Sequence, residues 1–333
     1  MKPVIFGLSG PALTADERDF FRDAAPLGFI LFKRNIQDRA QVLALTDSLR
    51  VLTGRDDLPV LVDQEGGRVA RLGPPEWPAF PAGPAFDRLY DIAPMSAIQA
   101  MRANGQALGL MLSEVGITVD CAPILDVARP DTTEAISSRA YGGEPMRVAA
   151  LGRAMLEGLR AGGVVGVVKH MPGHGRAQVD THHLLPTVTA TADELEIDLE
   201  PFRTLNGAGM GMTSHIVFEA WDAERTATLS PAVIADVIRG RIGFDGLLMT
   251  DDIDMKALSG SAADKAAGAI TAGCDVVLDC WARMDEMVAI ADRLGDAPTA
   301  TIERLDRAMA MRDQPAGDMA ELIARRDAFL ALA

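Results

Sequence analysis

The chain has 333 residues, of which 48% are hydrophobic and 5% aromatic, and its formal net charge is −15. An acidic chain with no Lys/Arg cluster longer than a pair is not expected to bind nucleic acid or an anionic membrane surface. No apolar stretch approaches the roughly 20 residues that a membrane span needs. The amino terminus breaks its apolar run at Gly7 and Gly10, which predicts a first strand and turn rather than a secretory signal.

The three cysteines do not form a disulfide framework. Cys274 and Cys280 bracket one predicted strand, so they would lie about 20 Å apart at roughly 3.3 Å per residue. A disulfide requires Cα atoms within about 7 Å of each other. We therefore expect reduced thiols and a cytoplasmic protein.

Short apolar runs alternate with amphipathic stretches along almost the whole chain. The runs are continuous, with little period-two alternation, as is typical of parallel strands that are covered on both faces. The predicted strands are Val4–Leu8, Phe29–Phe32, Val60–Val62, Ile117–Val119, Val164–Val168, Met210–Thr213, Leu247–Met249 and Val276–Leu278.

Helix-start signals lie between these runs. Asp38 to Leu52 opens with a capping-box pattern and carries apolar residues on one side. Thr191 and Glu194 form a second capping box. Ser230 followed by Pro231 predicts an N-cap with proline at the first helical position.

Eight strand–helix repeats without a second composition regime predict one (β/α)8 TIM-type barrel domain that spans residues 1–333. The stretch Thr299–Ala333 contains more helix than the eighth repeat requires, and we expect extra helices packed on the outside. A doubly wound open sheet is the alternative architecture.

Titratable residues follow six of the predicted strands. Active sites of such barrels lie at the carboxyl ends of the strands. Charged groups are rarely buried there unless they are paired or used. The residues are Asp63, Asp120, Lys169-His170, His215, Asp251-Asp252 and Asp279.

The segment Lys169–Pro186 follows the fifth strand and contains four of the five histidines of the chain. Its prolines and glycines and its lack of apolar periodicity predict a loop, one that can move and carry function. Asp180 lies two residues before His182. A carboxylate beside an imidazole orients the ring and raises its pKa, so a protonated His182 can act as an acid near neutral pH.

The first charged motif runs from Asp63 to Arg71. Asp63 can accept hydrogen bonds from vicinal sugar hydroxyls, and Arg71 can donate a fork. Gly66-Gly67 allows a sharp turn that lies close to a ligand. For Glu65 and Arg68 the preferred interpretation is an ion pair that closes the loop.

A carboxylate at the end of the seventh strand, Asp251, is a candidate nucleophile. Asp252 competes for this role, and helix N-capping is the alternative for Asp252 or Asp254. Upstream, the Pro-rich segment that follows the Asp63 motif carries Trp77 and Phe80, which either wall a cleft or cap the barrel rim.

Five motifs together resemble glycoside hydrolase family 3, and within it the bacterial β-N-acetylglucosaminidases of peptidoglycan recycling. The motifs are VDQEGGRVARL at Val62, SRAYG at Ser138, KHMPGHG at Lys169, DTH at Asp180 and TDDIDM at Thr250. The resemblance implies a (β/α)8 barrel and retaining, exo-acting hydrolysis of terminal β-linked N-acetylglucosamine without cofactor or metal. Two positions depart from the family pattern: Met171 where Phe is usual, and Asp254 where a small polar residue is common.

The resemblance also implies a role for each matching residue. Asp251 matches the nucleophile, which forms a covalent glycosyl-enzyme, and His182 with Asp180 matches the acid/base dyad. The positions that match sugar-binding residues are Asp63, Arg71, Arg139, Lys169 and His170. The implied substrates are muropeptide fragments in which N-acetylglucosamine is joined to 1,6-anhydro-N-acetylmuramic acid. Such substrates imply roles in cell-wall biogenesis, cell shape and cell division. We expect the protein to be a monomer.

Three other functions remain open. Lys169 at a strand end would suit a Schiff-base aldolase. The histidines and aspartates would suit a metal-dependent hydrolase, although His170 and His174 lie in a Pro/Gly segment without a helix to bring them to one face. A sugar-binding protein without activity is the third. Borohydride trapping and chelator sensitivity distinguish the first two from a glycosidase.

Overall fold

The computed structural model describes residues 1–179 and 185–333. Eight strands close into a barrel in which each strand pairs in parallel with its neighbours in sequence and the last pairs with the first. The strands are β1 (Lys2–Gly7), β2 (Pro26–Leu31), β3 (Val60–Val62), β4 (Val119–Asp120), β5 (Val165–Met171), β6 (Met210–Thr213), β7 (Leu247–Asp252) and β8 (Val276–Asp279). The predicted barrel is confirmed, and the open-sheet alternative is wrong.

Helices surround the barrel, and the predicted start signals cap three of them. The Asp38 side chain accepts a bond of 2.8 Å from the amide three residues on. Thr191 and Glu194 bond each other in both directions, and Ser230 accepts from the Val233 amide at 3.1 Å. The helices are Ala15–Ala24, Arg39–Thr53, Gly83–Ile92, Pro94–Glu114, Glu134–Ser137, Pro145–Ala161, Ala192–Thr204, Val233–Arg241 (π type), Ala262–Ala272, Met284–Arg293, Thr299–Met309 and Met319–Leu330.

Two apolar clusters hold the barrel together, one inside it and one between the strands and the helices. Successive residues of β1 alternate between the clusters, with Ile5 inside and Val4 and Phe6 outside. Both faces of each strand are therefore apolar, which explains why the sequence shows runs without alternation. Leu61 and Val167 face inward in the same way, so two residues further on Asp63 and Lys169 face the barrel interior.

The two C-terminal helices play different parts. Met319–Leu330 packs on the outside against Pro94–Glu114, as predicted. Thr299–Met309 instead contributes Leu305, Ala308 and Met309 to the interior cluster, so it closes the end of the barrel where the strands begin. The prediction that all of this segment packs outside is wrong for this helix, because its hydrophobic face covers the open end of the interior.

Two strands end three residues later than the apolar runs indicate. β5 continues through Lys169 and His170 to Met171, which pairs with Thr213 after a shift in register. β7 continues through Asp251 to Asp252. The prediction that Lys169 opens an irregular loop is wrong, because its backbone carbonyl still accepts a ladder-like bond of 2.6 Å from the Leu125 amide.

The predicted free thiols are confirmed: all three cysteines are unpaired and buried. Among residues 1–179 and 185–333, no helix combines the length and apolarity that crossing a membrane requires.

Candidate active site

Charged side chains from β3 and β5 meet at the carboxyl end of the barrel. Lys169 is 2% exposed, and its ammonium lies 2.7 Å from Glu65 Oε1 and 3.4 Å from Asp63 Oδ1. The second oxygen of Asp63 accepts a bond of 2.9 Å from Arg71 Nη2. Asp63 and Arg71, which were predicted in one motif, therefore form one network with Lys169, which was predicted in another segment.

Arg139 joins the network through Glu65. Its guanidinium donates a fork to that carboxylate, with Nε–Oε2 at 2.8 Å and Nη2–Oε1 at 2.5 Å. Glu65 thus holds both Arg139 and Lys169. The predicted Glu65–Arg68 ion pair is wrong, because Arg68 is turned to the Ser138 hydroxyl at 2.9 Å. The guanidinium that pairs with Glu65 is that of Arg139, which comes from a segment far along the chain from the Asp63–Arg71 motif.

The charges in this network stabilise one another. Burial by itself would raise the pKa of Glu65, but Arg139 and Lys169 lower the pKa well below its usual range. Burial by itself would lower the pKa of Lys169, but Glu65 and Asp63 raise it above its usual value. The pKa of Arg139 is raised in the same way by Glu65, against the effect of burial. The cations and Glu65 are therefore charged at neutral pH and fixed in place.

The glycine pair of the first motif serves the backbone rather than a ligand. Gly66 and Gly67 have φ values of +102° and +58°. A Cβ on Gly66 would lie 2.3 Å from the Pro81 carbonyl oxygen, and one on Gly67 would lie 2.5 Å from the Ala82 side chain. The prediction was that the backbone at these glycines lies close to a ligand; it lies instead against the following segment at Pro81 and Ala82.

His170 is fixed by a carboxylate from the segment after β4. Its Nδ1 lies 2.7 Å from Asp126 Oδ2, and its backbone amide donates to Asp126 Oδ1 at 3.2 Å. The His174 amide donates to that same oxygen at 2.7 Å. The two rings lie edge to face with centroids 5.5 Å apart. Asp126 therefore orients the His170 ring and holds the turn that follows β5.

Asp251 is the penultimate residue of β7, and its carboxylate interacts electrostatically with Lys169 and with the His170 and His215 rings. One carboxylate oxygen accepts a bond of 2.8 Å from the Asp252 amide. Burial by itself would raise the pKa of Asp251, but His170, His215, the Asp252 amide and Lys169 lower it below its usual value. Asp251 is therefore an anion at neutral pH, as a nucleophile must be.

His215 supports the end of β7 from the neighbouring strand. Its Nδ1 lies 2.7 Å from the Thr228 hydroxyl, and its Nε2 lies 2.9 Å from the backbone carbonyl oxygen of Asp252. The ring is 1% exposed, and burial lowers its pKa. A neutral ring that donates to the Asp252 carbonyl fixes the backbone next to Asp251.

The predicted capping role of Asp252 or Asp254 is wrong. The next helix, Ala262–Ala272, is capped by Ser261. Asp252 instead accepts from Trp281 Nε1 at 3.1 Å, and Asp254 lies 2.8 Å from Arg283. Both carboxylates contact the segment after β8, because β7 and β8 end side by side.

Two other predictions concern neighbouring segments. Trp77 and Phe80 are 3% and 5% exposed and belong to the hydrophobic core, so they pack at the rim rather than wall a cleft. Asp180 and His182 lie outside the described residues, and their roles remain predictions.

Two buried residues of the site were missed, and a third was predicted only by its place at a strand end. Glu65 was assigned to a loop contact, Asp126 was not singled out, and Asp120 was named as a strand-end carboxylate without a role. Asp120 is fully buried, accepts from the Gln64 amide at 2.9 Å, and has a pKa that burial raises well above its usual value. The sequence signal that could have identified these carboxylates is a charged residue just after an apolar run. That signal does not reveal which residue each carboxylate pairs with.

A parallel barrel with a charged network, a histidine–carboxylate pair and an anionic aspartate at its carboxyl end has the layout of a (β/α)8 enzyme. Comparison with known proteins defines the family. The model for the glycosyl hydrolase family 3 N-terminal domain matches residues 12–310. The chain belongs to this family.

Sequence relatives extend the match to nearly the full chain. A β-hexosaminidase of Bordetella avium is 34% identical, covering 95% of this chain and 90% of the relative. One of Chromobacterium violaceum is 36% identical, covering 98% and 91%. Native NagZ from Neisseria gonorrhoeae superimposes with a TM-score of 0.87 at 30% identity, covering 100% of this chain and 98% of NagZ.

The fold and these relatives agree with the resemblance found in the sequence. The protein is a glycoside hydrolase of the β-N-acetylhexosaminidase class, of the NagZ type within family 3.

Proposed function

We propose that the protein is a retaining exo-β-N-acetylglucosaminidase that forms a covalent glycosyl ester on Asp251. The observation that carries the proposal is the anionic carboxylate of Asp251 beside His170, His215 and Lys169. An anion held by the Lys169 ammonium, two imidazole rings and a backbone amide can attack an anomeric carbon, and it is regenerated when water cleaves the ester.

The network of Asp63, Lys169 and Arg139 supports a role in holding the sugar. Each of these side chains already has a charged partner, so a ligand finds donors and acceptors in fixed positions. Asp63 would accept from vicinal hydroxyls, while Lys169 and Arg71 would donate to them. In this proposal Glu65 is a positioning residue, since it acts through Lys169 and Arg139.

His182, oriented by Asp180, is the proposed acid and base. Retaining glycosidases generally use two carboxylates, of which one donates the proton. A second anionic carboxylate would add negative charge beside Asp251, whereas an imidazolium would not. His182 would donate to the leaving oxygen, and the neutral ring would then remove a proton from the attacking water.

The stereochemistry of the product and the mass of the enzyme test the covalent step. An aryl β-N-acetylglucosaminide should give the β-anomer of N-acetylglucosamine first in ¹H NMR. The wild-type enzyme quenched during turnover should carry one added N-acetylhexosaminyl group, located on the peptide with Asp251. The α-anomer as first product would indicate inversion. Retention without any adduct, on a substrate whose burst shows the second step to be slow, would indicate participation of the substrate's own acetamido group and would overturn the role of Asp251.

Substrates with different leaving groups test whether His182 is the acid. A good leaving group departs without a proton, so His182→Ala should impair a sugar leaving group severely and glycosylation by an activated aryl glycoside much less. Asp180→Asn should show the same pattern more mildly. Bursts in the pre-steady state separate glycosylation from the second step, in which His182 still acts as base. Equal slowing with both leaving groups would mean that the proton comes from another group.

The proposed natural substrates are N-acetylglucosaminyl-1,6-anhydromuropeptides, which would place the enzyme in peptidoglycan recycling in the cytoplasm. A related structure of NagZ from Neisseria gonorrhoeae is a complex with N-trifluoroacetyl-D-glucosamine, which supports an N-acylated glucosamine in the subsite. The comparison to make is kcat/KM for an anhydromuropeptide against a chitin disaccharide. A higher value for the chitin fragment would contradict the recycling role.

A further inference from the structure

A second acidic cluster lies behind the active site, where β7 and β8 end. Asp252, Asp254 and Asp279 each offer a carboxylate oxygen, and these oxygens lie within 4.8 Å of one another. Asp279 pairs in register with Phe6, which belongs to the cluster of side chains outside the barrel. The cluster therefore faces the helical layer, away from the interior that Asp63 and Lys169 line.

The cluster is short of hydrogen-bond donors. Asp279 is 1% exposed, and neither of its carboxylate oxygens has a partner among the described residues. Oδ2 of Asp254 is buried and equally unpartnered within the described chain. A buried carboxylate without a donor is costly, since the penalty of removing it from water is not offset. Three such oxygens, in a cluster whose carboxylates approach within 4.8 Å of one another, indicate a missing positive partner.

Nearby cations do not supply that partner. Arg283 Nη2 lies 2.8 Å from Asp254 but also 2.5 Å from Glu286, so its one charge is shared between two carboxylates. Lys265 Nζ donates to the backbone carbonyl of Ile253 at 3.1 Å. Neither group donates to Asp279.

We propose that Asp252, Asp254 and Asp279 bind one divalent cation at the outer face of the β7 and β8 ends. Oxygens within 4.8 Å of one another can surround an ion at the roughly 2.1–2.6 Å distances that Mg²⁺, Mn²⁺ and Ca²⁺ require. An all-carboxylate donor set favours these hard cations over zinc, which prefers nitrogen and sulfur ligands. Trp281 and the Asp254 amide, which donate to Asp252, would orient that ligand.

This cation would be structural rather than catalytic. Asp252 is a ligand in the proposal, and its amide donates to Asp251 while its carbonyl accepts from His215. The ion would therefore tie the segment after β8 to the backbone that holds the nucleophile. The competing occupant is a proton. Without a cation, burial together with Asp254 and Asp252 raises the pKa of Asp279 to about 8.

Direct binding of Mn²⁺ to the full chain tests the site. The electron paramagnetic resonance signal of free Mn²⁺ disappears on binding, and a titration should give one bound ion per wild-type chain, displaced by Ca²⁺ or Mg²⁺. Asp279→Asn and Asp254→Asn should each weaken binding by at least about tenfold. Mutation of a residue that only hydrogen-bonds to a metal ligand typically costs 10–100-fold in affinity, and a direct ligand should cost no less. Asp313→Asn, which removes a half-exposed surface carboxylate elsewhere, is the matched control and should bind as the wild type does.

A second readout uses Trp281, whose ring nitrogen contacts Asp252. Ca²⁺ should change the tryptophan fluorescence of the wild type, and Trp281→Phe should abolish this change while it retains bound Mn²⁺. The proposal is overturned if the wild type binds no Mn²⁺ up to about 1 mM, a weak-binding limit for such sites. It is equally overturned if both aspartate variants bind like the wild type. In either case the cluster holds a shared proton instead. Two separate ligand variants keep the test valid if one of them fails to fold.

Discussion

Two groups of carboxylates lie at the carboxyl ends of the strands, and they differ in how their charge is balanced. On the β3–β5 side, Asp63 and Glu65 face Lys169, Arg71 and Arg139 at hydrogen-bonding distances. On the β7–β8 side, only Asp254 forms an ion pair within the described chain, with Arg283, whereas Asp252 and Asp279 form none there. Acidic residues at the strand ends therefore fall into two kinds: those that neighbouring segments supply with cations, and those that they leave almost without them.

The difference decides which carboxylates are ionised. The pKa of Glu65 lies well below its usual range, because Arg139 and Lys169 outweigh burial. On the other side, burial, Asp254 and Asp251 raise the pKa of Asp252 to about 7. The pKa of Asp251 is lowered, against burial, by His170, His215, the Asp252 amide and Lys169. The charge of the nucleophile therefore depends on residues of β5 and of the segment after β6 as well as on its own strand.

The largest expected effect comes from removing the carboxylate that the two sides share. Asp251→Asn should lower kcat/KM by more than about a thousandfold, because loss of a covalent nucleophile costs orders of magnitude. Asp252→Asn is the neighbouring control and should lose far less. Steady-state rates on an aryl β-N-acetylglucosaminide measure both, with circular dichroism to check the fold. If Asp251→Asn retains more than about a hundredth of the rate, the nucleophile is elsewhere.

Glu65→Gln should have the next largest effect, on stability. It leaves Lys169 and Arg139 buried without their shared anion, and breaking a buried pair typically costs about 3–5 kcal/mol. The free energy of unfolding in urea measures this loss. Glu286→Gln removes a more exposed partner of Arg283 and should cost less than about 1 kcal/mol. Equal losses in the free energy of unfolding would mean that the buried β3–β5 network stabilises the fold no more than the exposed ion pair does.

Smaller losses are expected when one sugar contact is removed. Asp63→Ala and Lys169→Ala should each weaken transition-state binding by about 1.5–3 kcal/mol, the value of a charged hydrogen bond. In the proposal the 4-hydroxyl is one of the vicinal hydroxyls that Asp63 binds, so a substrate that lacks it should narrow the difference in activity between the wild type and Asp63→Ala. A remaining full loss in Asp63→Ala with that substrate would show that Asp63 acts only through Arg71 and Lys169.

The last prediction concerns the pH dependence of stability on the β7–β8 side. Asp279 and Asp252, with pKa values raised to about 8 and about 7, keep protons in the folded chain that the unfolded chain releases near about pH 4. Their contribution to stability is therefore present at low pH and is lost as pH rises from about 4 to about 8. In EDTA, the wild type should lose up to about 1.4 kcal/mol per pH unit for each titrating group.

Asp279→Asn cannot ionise, so its stability should fall less between pH 5 and 8.5. Urea unfolding at several pH values gives the comparison, and Asp313→Asn serves again as the surface control. A wild type whose stability does not depend on pH in this range would contradict the raised pKa values. A slope that disappears when Mn²⁺ is added would link this titration to the proposed cation site.

The sequence by itself determined the barrel, because parallel strands covered on both faces must be continuously apolar and these runs are separated by capped helices. It also located the charged strand ends, since polar residues directly after apolar runs stand out. The positions of Asp63, Lys169 and Asp251 follow from that pattern. The extra residues of β5 and β7 did not, because pairing between strands and not apolarity decides where a strand ends.

Only the tertiary structure decided the partners. Glu65 and Arg139 are 74 positions apart, and Asp126 and His170 are 44 apart, so no local pattern relates them. The same holds for Asp254, just after β7, and Asp279, at the end of the neighbouring β8, which share a donor-poor site. Charge balance depends on distances between side chains, and those distances exist only once the barrel has closed. That is why the sequence could identify the acidic residues but not tell the anions from the carboxyls that hold a proton or a cation.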